Sequence, residues 1–489
     1  MRALTAPLYE LSEFEEIRKL LKKPGKYAAL TGCVESQKLH MAYGLSEGLR
    51  CRLIVTFSDQ RMKELQEDYR FYDRNTTCFP ARDVIFYQAD IHGNQLTKER
   101  IRCFRRMMEG RPFTVVTTFG SLLAPQLPLS VFRDNVITVS CNGSLDEKKM
   151  AGELVKLGYE NVYQVETPGQ FSIRGGIVDI FDLTEENPYR IELWGDEVES
   201  IRSFDVQSQR SIEKLSSITI YPACELILTE EQLKKGMERI EKESKRFSEK
   251  LRKEFKTEEA HRVEEQMNTL KEEVFAYKSL ANLDGYVRYF YEDTVSFLNF
   301  LDVENSIVFL DEPARIREHA SAVELEFRES MSHRLKKGYI LPGQADFLYS
   351  VAEVTARMSA FRLASLAALD LKGGLLKPDW KADISAKSIS SYNNSFEALV
   401  SDLQRYKKKG YRVLLLSGSR TRAKRLAADL SENGLTSFYT EDPDREIKPG
   451  EIMTFYGRVF RGFEYPLLKF AVISESDIFG AEKKKKKKK

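Results

Sequence analysis

The stretch QFSIRGGIVDIF, residues 170–181, holds two strand-like segments separated by a Gly-Gly pair. Alternating apolar and polar side chains are typical of a β-strand with one buried face, and paired glycines allow the chain to reverse tightly. Two more such segments follow, YRIELW at residues 189–194 and EVESIR at 197–202, with a Gly-Asp pair between them. The sequence therefore predicts an antiparallel meander of roughly three or four strands, preceded by a helix around residues 148–157.

The segment before the meander has another pattern. Apolar runs at residues 26–30, 52–57 and 113–118 indicate buried strands, and amphipathic stretches lie between them. Strands that alternate with helices in this way predict βαβ units and a parallel sheet.

The segment after the meander begins with charged helical sequence. Residues 229–277 are rich in Lys and Glu and carry one narrow apolar stripe, which predicts a long solvated helical hairpin packed on a neighbour. The run SIVFL at 306–310 indicates a further buried strand, and residues 396–474 alternate helix and strand again. The last pattern predicts a compact α/β domain.

The composition limits the function classes. The chain has 489 residues, and its 76 Lys and Arg nearly balance its 74 Asp and Glu, so it lacks the chain-wide positive field of a nucleic-acid-binding protein. Six cysteines form no C-x-x-C pair and five histidines are scattered, which argues against a zinc site. No apolar run approaches the length of a membrane span. We expect a soluble cytoplasmic protein without membrane contact.

The stretch AALTGCVESQKLH, residues 28–40, partly matches the phosphate-binding pattern G-x-x-x-x-G-K-[ST]. Gly32 and Lys38 stand at the first-glycine and lysine positions. Gln37 replaces the second glycine, and Leu39 replaces the hydroxyl that would bind magnesium. We expect a degenerate phosphate loop that does not hold Mg-ATP tightly, and therefore no catalytic residue, metal or cofactor in this chain.

The sequence LDE at residues 310–312 follows an apolar strand and superficially resembles a Walker B motif. Carboxylates at strand ends are common caps and salt-bridge formers. Without a working phosphate loop, we interpret them in that structural sense.

The meander resembles the second domain of the bacterial transcription-repair coupling factors. The matching stretches are VETPGQFSIRGGIVDIF (165–181), YRIELWGDEVESIR (189–202) and FDVQSQR (204–210). The meander is also similar to the corresponding domain of the excision-repair helicase UvrB, whose pattern has F-R-x-R-G-D and E-F-F-G-D-E-I. FPA at 79–81 and SESDIFG at 474–480 agree with the N-terminal half of the coupling factors.

The resemblance implies a multidomain α/β fold: a degenerate, UvrB-like parallel α/β body, an inserted small α+β meander domain and a separate C-terminal α/β domain. The expected segments are 1–127 (first part of the body), 128–213 (meander domain), 214–378 (second part of the body with the charged helices), 379–480 (small α/β domain) and 481–489 (lysine-rich linker).

The resemblance also implies a non-catalytic recruitment module. It would bring the excision-repair protein UvrA to stalled RNA polymerase and take part in autoinhibition of a C-terminal DNA translocase half. ATP and magnesium are then expected only for that translocase. RNA polymerase and DNA would be bound through downstream segments.

For the UvrA contact, UvrB places basic residues on its meander. Arg174 matches the last arginine of F-R-x-R, Ser172 replaces the first, and Asn161 lies about where UvrB has an upstream arginine. Phe171 is expected either to add apolar area beside Arg174 or to belong to the core, since aromatic residues on strands are usually buried.

Arg190 and Arg202 project from neighbouring strands. They are expected either to extend a basic face or to pair structurally with Glu192 or Glu199. Arg174 itself has a competing interpretation as a solvated edge arginine.

A different class of function is the alternative: a nucleic-acid-binding or ATP-dependent helicase fragment with a non-standard nucleotide site. The chain is nearly neutral, and its positive surplus lies in the lysine run at 483–489. We interpret that run as a solvated linker, so we expect only weak nucleic-acid binding that depends on it.

Overall fold

The computed structural model describes residues 1–82, 93–276, 283–371 and 373–480, so the predicted lysine-rich linker lies outside the described residues. The strands are β1 (Tyr27–Thr31), β2 (Cys51–Thr56), β3 (Thr77–Phe79), β4 (Phe113–Thr118), β5 (Ile137–Ser140), β6 (Glu160–Asn161), β7 (Gln170–Arg174), β8 (Ile177–Phe181), β9 (Tyr189–Trp194), β10 (Glu197–Phe204), β11 (Ser211–Leu215), β12 (Ser217–Ile220), β13 (Ser306–Asp311), β14 (Arg362–Leu366), β15 (Trp380–Asp383), β16 (Lys387–Ser388), β17 (Arg412–Ser417), β18 (Ser437–Tyr439), β19 (Ile452–Tyr456), β20 (Phe463–Tyr465) and β21 (Phe470–Ser474).

The helices are α1 (Arg2–Thr5), α2 (Ser12–Leu20), α3 (Glu35–Leu45), α4 (Asp59–Tyr69), α5 (Gly93–Met108), α6 (Phe119–Leu123), α7 (Leu129–Arg133), α8 (Glu147–Lys156), α9 (Glu230–Lys253), α10 (Thr257–Lys271), α11 (Val287–Phe290), α12 (Pro313–Lys336), α13 (Pro342–Ala345), α14 (Val351–Met358), α15 (Phe396–Lys408), α16 (Arg420–Glu432) and α17 (Glu475–Phe479). Short 3-10 helices span Ala6–Glu10, Asp284–Tyr286, Phe297–Phe300 and Val303–Asn305, and a π-helical turn spans Glu272–Ala276.

The body is a parallel sheet of seven strands in the order β15-β1-β14-β13-β2-β4-β3. Strands from before and after the meander interleave in it, so the two parts of the chain form one sheet. Every residue of β4 and β13 is buried, as expected for strands covered by helices on both faces. The predicted fold class, a parallel α/β body with an inserted antiparallel domain, is confirmed.

Two predicted boundaries differ from the observed strand pairing: one cuts through β11, and the other leaves β15 outside the body. Strand β15 pairs in parallel with β1, so residues 380–383 belong to the body's sheet although the boundary was expected at 378. Strand β11 pairs with β10 and carries the meander past residue 213 to Leu215. Short edge strands such as these carry little periodic signal, because their place is set by the strand beside them.

The meander forms a six-stranded sheet in the order β11-β10-β9-β8-β7-β6. Strands β7 to β10 are the predicted antiparallel meander, and α8 is the predicted preceding helix. The sheet gains β11 at one edge and the two-residue β6, parallel to β7, at the other. Strands β5 and β12 pair separately as a two-stranded ribbon.

The charged segment forms the predicted helical hairpin, α9 and α10. Met237, Ile240, Phe247 and Leu251 on the predicted stripe of α9 are buried. The hairpin packs this stripe into the core that continues through the body.

The last domain has its own six-stranded sheet, in the order β16-β20-β21-β17-β19-β18. One face, with Val413, Leu415 and Ile473, packs under helices α15 and α16. The other face, which includes Leu414, Leu416 and Phe470, packs into the same hydrophobic cluster as α2 and α3 of the body. The domain is therefore separate in its sheet but shares a core with the body.

Candidate binding surface and filled phosphate loop

The polar face of the meander carries the predicted basic residues. The register aligns Ser172, Asp179, Arg190, Arg202 and Lys214 in one row across five strands. Directly opposed residues in a sheet share a face, so this row lies on the side away from the apolar core. The opposite side holds Val178, Ile191 and Ile201, all buried. We call the polar side, including Arg174, the basic face.

Arg174 is held less tightly than the two other arginines of the basic face, Arg190 and Arg202. Its guanidinium lies 3.6 Å from Oδ2 of Asp179, a carboxylate that already receives two hydrogen bonds, of 2.7 and 2.8 Å, from Arg190. The buried carboxylate of Asp179 therefore binds two guanidiniums. Arg190 pairs with it bidentately, which is the stronger geometry. The side chain of Arg174 is 39% exposed and lies over the ring of Tyr163.

Arg190 and Arg202 are held by internal partners. Beyond Asp179, Arg190 donates to Oε1 of Gln209, and its pKa is raised by its hydrogen bond to Asp179. Arg202 pairs with Glu192, one of the two partners expected from the sequence. Arg190 pairs with Asp179 instead of Glu192 or Glu199, because Asp179 lies directly opposite it on β8.

Phe171 and Asn161 lie apart from that row. Phe171 is fully buried in the core beneath the sheet, so the idea that it offers apolar area to a partner is wrong. Its neighbours Ser172 and Gln170 point to the other side because side chains alternate along a strand. Asn161 is exposed on edge strand β6, opposite Phe171 in register.

Two exposed apolar side chains escaped the sequence analysis. Tyr163 is 82% exposed and stacks with Arg174, and Trp194 is 80% exposed at the end of β9. Large exposed aromatic groups are frequent at protein interfaces. Tyr163 lies outside any strand, so no alternation pointed to it. Trp194 adjoins the predicted Gly-Asp turn, which is the signal that could have found it.

The phosphate loop connects β1 to α3, and three of its amide groups donate to acceptors within the chain. The N–H groups of Gly32 and Cys33 donate to the carbonyl oxygens of Ala368 and Ala367, at 3.2 and 3.1 Å. The next amide, of Val34, donates to Oε1 of Gln37 at 3.1 Å. A working loop of this kind wraps phosphates with such amides.

The space beside Gly32 is also occupied. A Cβ at this glycine, whose φ is +66°, would lie 2.7 Å from the Asp383 carboxylate. The chain after β15 therefore covers the loop. Leu39 is buried in the hydrophobic core shared with the last domain, and its side chain has no atom that could bind a cation.

Lys38 is neutralised from within the chain. Its ammonium group donates to Oδ1 of Asp311 at 2.8 Å and to Oε1 of Glu312 at 2.5 Å, and its side chain is 5% exposed. The other oxygen of Asp311 accepts from Thr56 and Arg61. The carboxylates of the LDE sequence are thus salt-bridge formers.

The charges of this cluster shift its pKa values. Burial alone would lower the pKa of Lys38, but the carboxylates of Asp311 and Glu312 outweigh it and raise that pKa. Burial would raise the pKa of Asp311, but Lys38 and Arg61 outweigh it and lower that pKa.

Glu312 has φ of +59°, a conformation uncommon for a non-glycine residue. Two bonds hold it: its N–H donates to Leu366, and its carboxylate accepts from the N–H of Ala368.

Within the described residues, no group of three or more His, Cys, Asp or Glu side chains is arranged to hold a metal ion. No helix in the same part of the chain is long and apolar enough to cross a membrane.

Comparison with known proteins relates this geometry to a family. Residues 137–226, from β5 to just past β12, match the UvrB interaction domain. A transcription-repair-coupling factor of Bacillus subtilis (strain 168) is 30% identical over 418 residues, which cover 85% of this chain and 35% of that protein. This chain is related to the transcription-repair-coupling factors. It is a UvrB-like module corresponding to their N-terminal region.

The relationship extends over the whole chain. A transcription-repair-coupling factor of Staphylococcus aureus (strain Mu50 / ATCC 700699) is 25% identical over 491 aligned residues, covering 100% of this chain and 41% of that protein. The chain thus spans well under half the length of these coupling factors. The basic face lies wholly inside the UvrB interaction domain.

Proposed function

We propose that this chain is the recruitment module of a cytoplasmic transcription-repair-coupling factor and that its basic face binds UvrA. The observation that carries the proposal is Arg174. It is a half-exposed guanidinium that shares one carboxylate with a better-placed arginine, inside a UvrB interaction domain. Such a group gains a full partner only from another molecule.

The chemistry of the contact follows from the groups around Arg174. An arginine presents a planar fork that pairs bidentately with a carboxylate, and Tyr163 beside it adds apolar area. Asn161 on the adjacent edge strand can donate and accept hydrogen bonds. We propose a carboxylate-bearing surface of UvrA as the partner of this corner. Arg190 and Arg202 lie behind it, each held in place by a carboxylate of the sheet.

We further propose that the C-terminal translocase half of a coupling factor covers the same face in the resting state. RNA polymerase and DNA would then be bound through that half. The proposal rests on the family relationship and on the exposure of the basic face in this chain.

We also propose that this chain neither binds nor hydrolyses nucleotide. The amides of Gly32, Cys33 and Val34 have internal acceptors, and Lys38 is held by two carboxylates. ATP and magnesium would act only in the translocase half. The alternative of a nucleotide-driven helicase fragment requires a site other than this loop.

Titration calorimetry of the chain against purified UvrA tests the recruitment proposal. Arg174→Ala is expected to weaken binding by at least about 1 kcal/mol, the usual threshold for an anchor residue. The matched control is Arg246→Ala, an exposed arginine on the charged hairpin, which should leave the affinity unchanged. Thermal melting of each variant shows that the fold is intact.

Three outcomes are distinguishable. Loss of affinity in the Arg174 variant alone places UvrA on the basic face. Binding that neither substitution changes keeps the partner but moves the contact elsewhere. No binding by the folded wild-type chain overturns the recruitment proposal.

A further inference from the structure

A cleft of about 880 Å³ lies where the body meets the last domain. One wall is the end of α4 and the turn after it. The other wall is formed by the turn after β17, the loop after β19 and the region of α17. The volume is in the range of well-formed ligand sites, about 300–1,000 Å³. The cleft lies outside the UvrB interaction domain, so it is independent of the proposed UvrA contact.

The cleft walls are rich in arginine. Five arginines and three glutamates line it. Arg70 and Arg74 come from the body, and Arg458 comes from the last domain. All three are exposed, and none of them has a carboxylate within salt-bridge distance among the residues that the structure describes. Three guanidiniums from two domains therefore line one space without forming a salt bridge among the described residues.

The remaining charges are largely paired with one another. Arg420 lies 3.3 Å from Glu441, and Arg422 pairs with Glu475. Glu475 also accepts from the N–H of Gly418 at 2.6 Å and from the hydroxyl of Ser417 at 3.2 Å. A carboxylate of the chain itself thus accepts the hydrogen-bond donors of the turn that precedes α16. The third glutamate, Glu67, lies on α4.

Aromatic rings accompany the arginines. Tyr456 lies under the guanidinium of Arg420, 4.7 Å from ring centroid to Cζ, and Phe479 is 52% exposed at the rim. Phe71 also lines the cleft. Guanidinium groups and aromatic faces together are the usual lining of sites for single-stranded nucleic acid, because one binds phosphate and the other stacks on bases.

The two walls are held together by close packing. A Cβ on Gly457 would lie 2.1 Å from the ring of Phe71, so only glycine allows this approach of the last domain to α4. The N–H of Phe460 donates to Oδ1 of Asp68 at 2.8 Å. The cleft is thus a preformed feature of the docked domains, which reduces the ordering cost of binding.

We propose that this cleft binds the sugar-phosphate backbone of a single-stranded nucleic acid. Arg70, Arg74 and Arg458 neutralise successive phosphates, and Tyr456 and Phe479 stack on bases. An acidic peptide would satisfy the guanidiniums but would leave the exposed ring of Phe479 without a stacking partner. DNA and RNA share the phosphate chemistry that the cleft recognises.

Fluorescence anisotropy with labelled oligothymidylate and oligouridylate of about 12 nucleotides, a typical site size, tests the proposal on the full chain. The cleft variant is the triple substitution Arg70→Gln, Arg74→Gln and Arg458→Gln. We expect it to bind at least about tenfold more weakly and to reduce the slope of log K against log[salt] by about 2, since each phosphate contact on a single strand contributes about 0.7.

The matched control is Arg111→Gln, Arg133→Gln and Arg246→Gln. It removes the same charge from exposed arginines away from the cleft and keeps the lysine run at 483–489. It should bind like the wild type. Equal weakening of both triple variants would show that the general field of the chain binds the strand, and this would overturn the proposal.

A second variant tests whether removing a negative charge from the cleft strengthens oligonucleotide binding. Glu475→Gln keeps an oxygen that accepts from Gly418 but removes the negative charge and frees Arg422. It should tighten binding of both oligonucleotides by severalfold. Unchanged or weaker binding would contradict the proposal. So would displacement of the oligonucleotide by polyglutamate at equal charge concentration, because that result identifies an acidic protein partner.

Discussion

The side-chain amide of Gln37 donates a hydrogen bond of 2.9 Å to the hydroxyl of Tyr465. Gln37 is the residue at the second-glycine position of the phosphate loop, and Tyr465 lies on β20 of the last domain. The tyrosine hydroxyl in turn lies 2.9 Å from Nδ1 of His40, whose Nε2 lies 2.8 Å from the carbonyl oxygen of Leu4. The position that would approach phosphate in a working loop therefore links two domains.

Tyr465→Phe should weaken this link. The substitution leaves the Gln37 amide and the His40 nitrogen buried without their shared partner, which costs about 1–3 kcal/mol. Urea unfolding measures the loss. Tyr163→Phe, which removes a hydroxyl from an 82% exposed ring, is the control and should change stability by less than about 0.5 kcal/mol. Equal stability of the two variants would contradict a structural role for the Tyr465 hydroxyl.

His40 should make the link sensitive to acid. Burial lowers the pKa of His40 from 6.5 to about 4. The neutral ring is required, because the Leu4 carbonyl accepts from Nε2–H and Nδ1 is left to accept from Tyr465. Below pH 6.5 the unfolded chain binds a proton on His40, whereas in the folded chain His40 stays neutral until the pH approaches 4. Stability is therefore lost as pH falls toward 4, by about 2 kcal/mol between pH 7 and 5.

The measurement is the difference in unfolding free energy between wild type and His40→Gln across that pH range. The difference is needed because burial raises the pKa values of Asp68 and Asp477 to about 6, which favours the folded state as pH falls from 6 to 4. Both aspartates are present in both proteins, so their effect cancels. A pH-independent difference would exclude His40 as the titrating group.

Lys38 and Asp311 should behave as a coupled pair. Lys38→Met leaves Glu312 and part of Asp311 without a counter-charge in a buried site, which costs about 3–5 kcal/mol. Asp311→Asn should cost a similar amount. The double variant should be more stable than the sum of the single losses predicts, by at least about 1 kcal/mol in a double-mutant cycle. Additive losses would mean that the two groups do not interact.

The pH dependence of this pair follows from the two shifts. The lowered pKa of Asp311 gives stability that is present above the normal carboxylate pKa and lost as pH falls through the folded value. The raised pKa of Lys38 gives stability that is present below the normal lysine pKa and lost as pH rises through the folded value. The coupling should therefore be constant across the neutral range.

Restoring the phosphate-loop pattern should not restore nucleotide binding. The double substitution Gln37→Gly and Leu39→Thr rebuilds the sequence pattern G-x-x-x-x-G-K-T. The amides of Gly32 and Cys33 would still donate to internal carbonyls, and Lys38 would still face two carboxylates. Equilibrium dialysis with Mg-ATP should detect no binding. Saturable binding by this variant would show that the two side chains alone had closed the site.

Substitutions at Tyr163 and Phe171 should distinguish the surface of the meander from its core. Tyr163→Ala should reduce UvrA affinity and leave stability nearly unchanged, because the ring is exposed. Phe171→Ala should lower the unfolding free energy by about 3–5 kcal/mol, the usual cost of removing a buried aromatic side chain. Calorimetry against UvrA and urea unfolding measure the two effects. The reverse pattern would contradict the orientation of β7.

Local patterns in the sequence were sufficient for the long buried strands, the meander and the charged hairpin, but not for short edge strands such as β11 and β15. The alternation around residues 170–202 predicts strands β7 to β10, since side chains on a strand repeat with a period of two. The same period places Phe171 and Arg174 on opposite faces of β7, because they are three positions apart, and it could have assigned Phe171 to the core. The altered phosphate loop was also visible, since it depends on residue types at fixed spacing.

Only the tertiary structure decided which distant groups meet. Lys38 and Asp311 are 273 positions apart and join because the ends of β1 and β13 lie at the same edge of one parallel sheet. The arginine cleft arises only when the last domain docks on α4, and Gln37 gains its partner by the same docking. Periodicity describes which side of one element is buried, but contacts between elements depend on how whole sheets pack, and no local pattern encodes that.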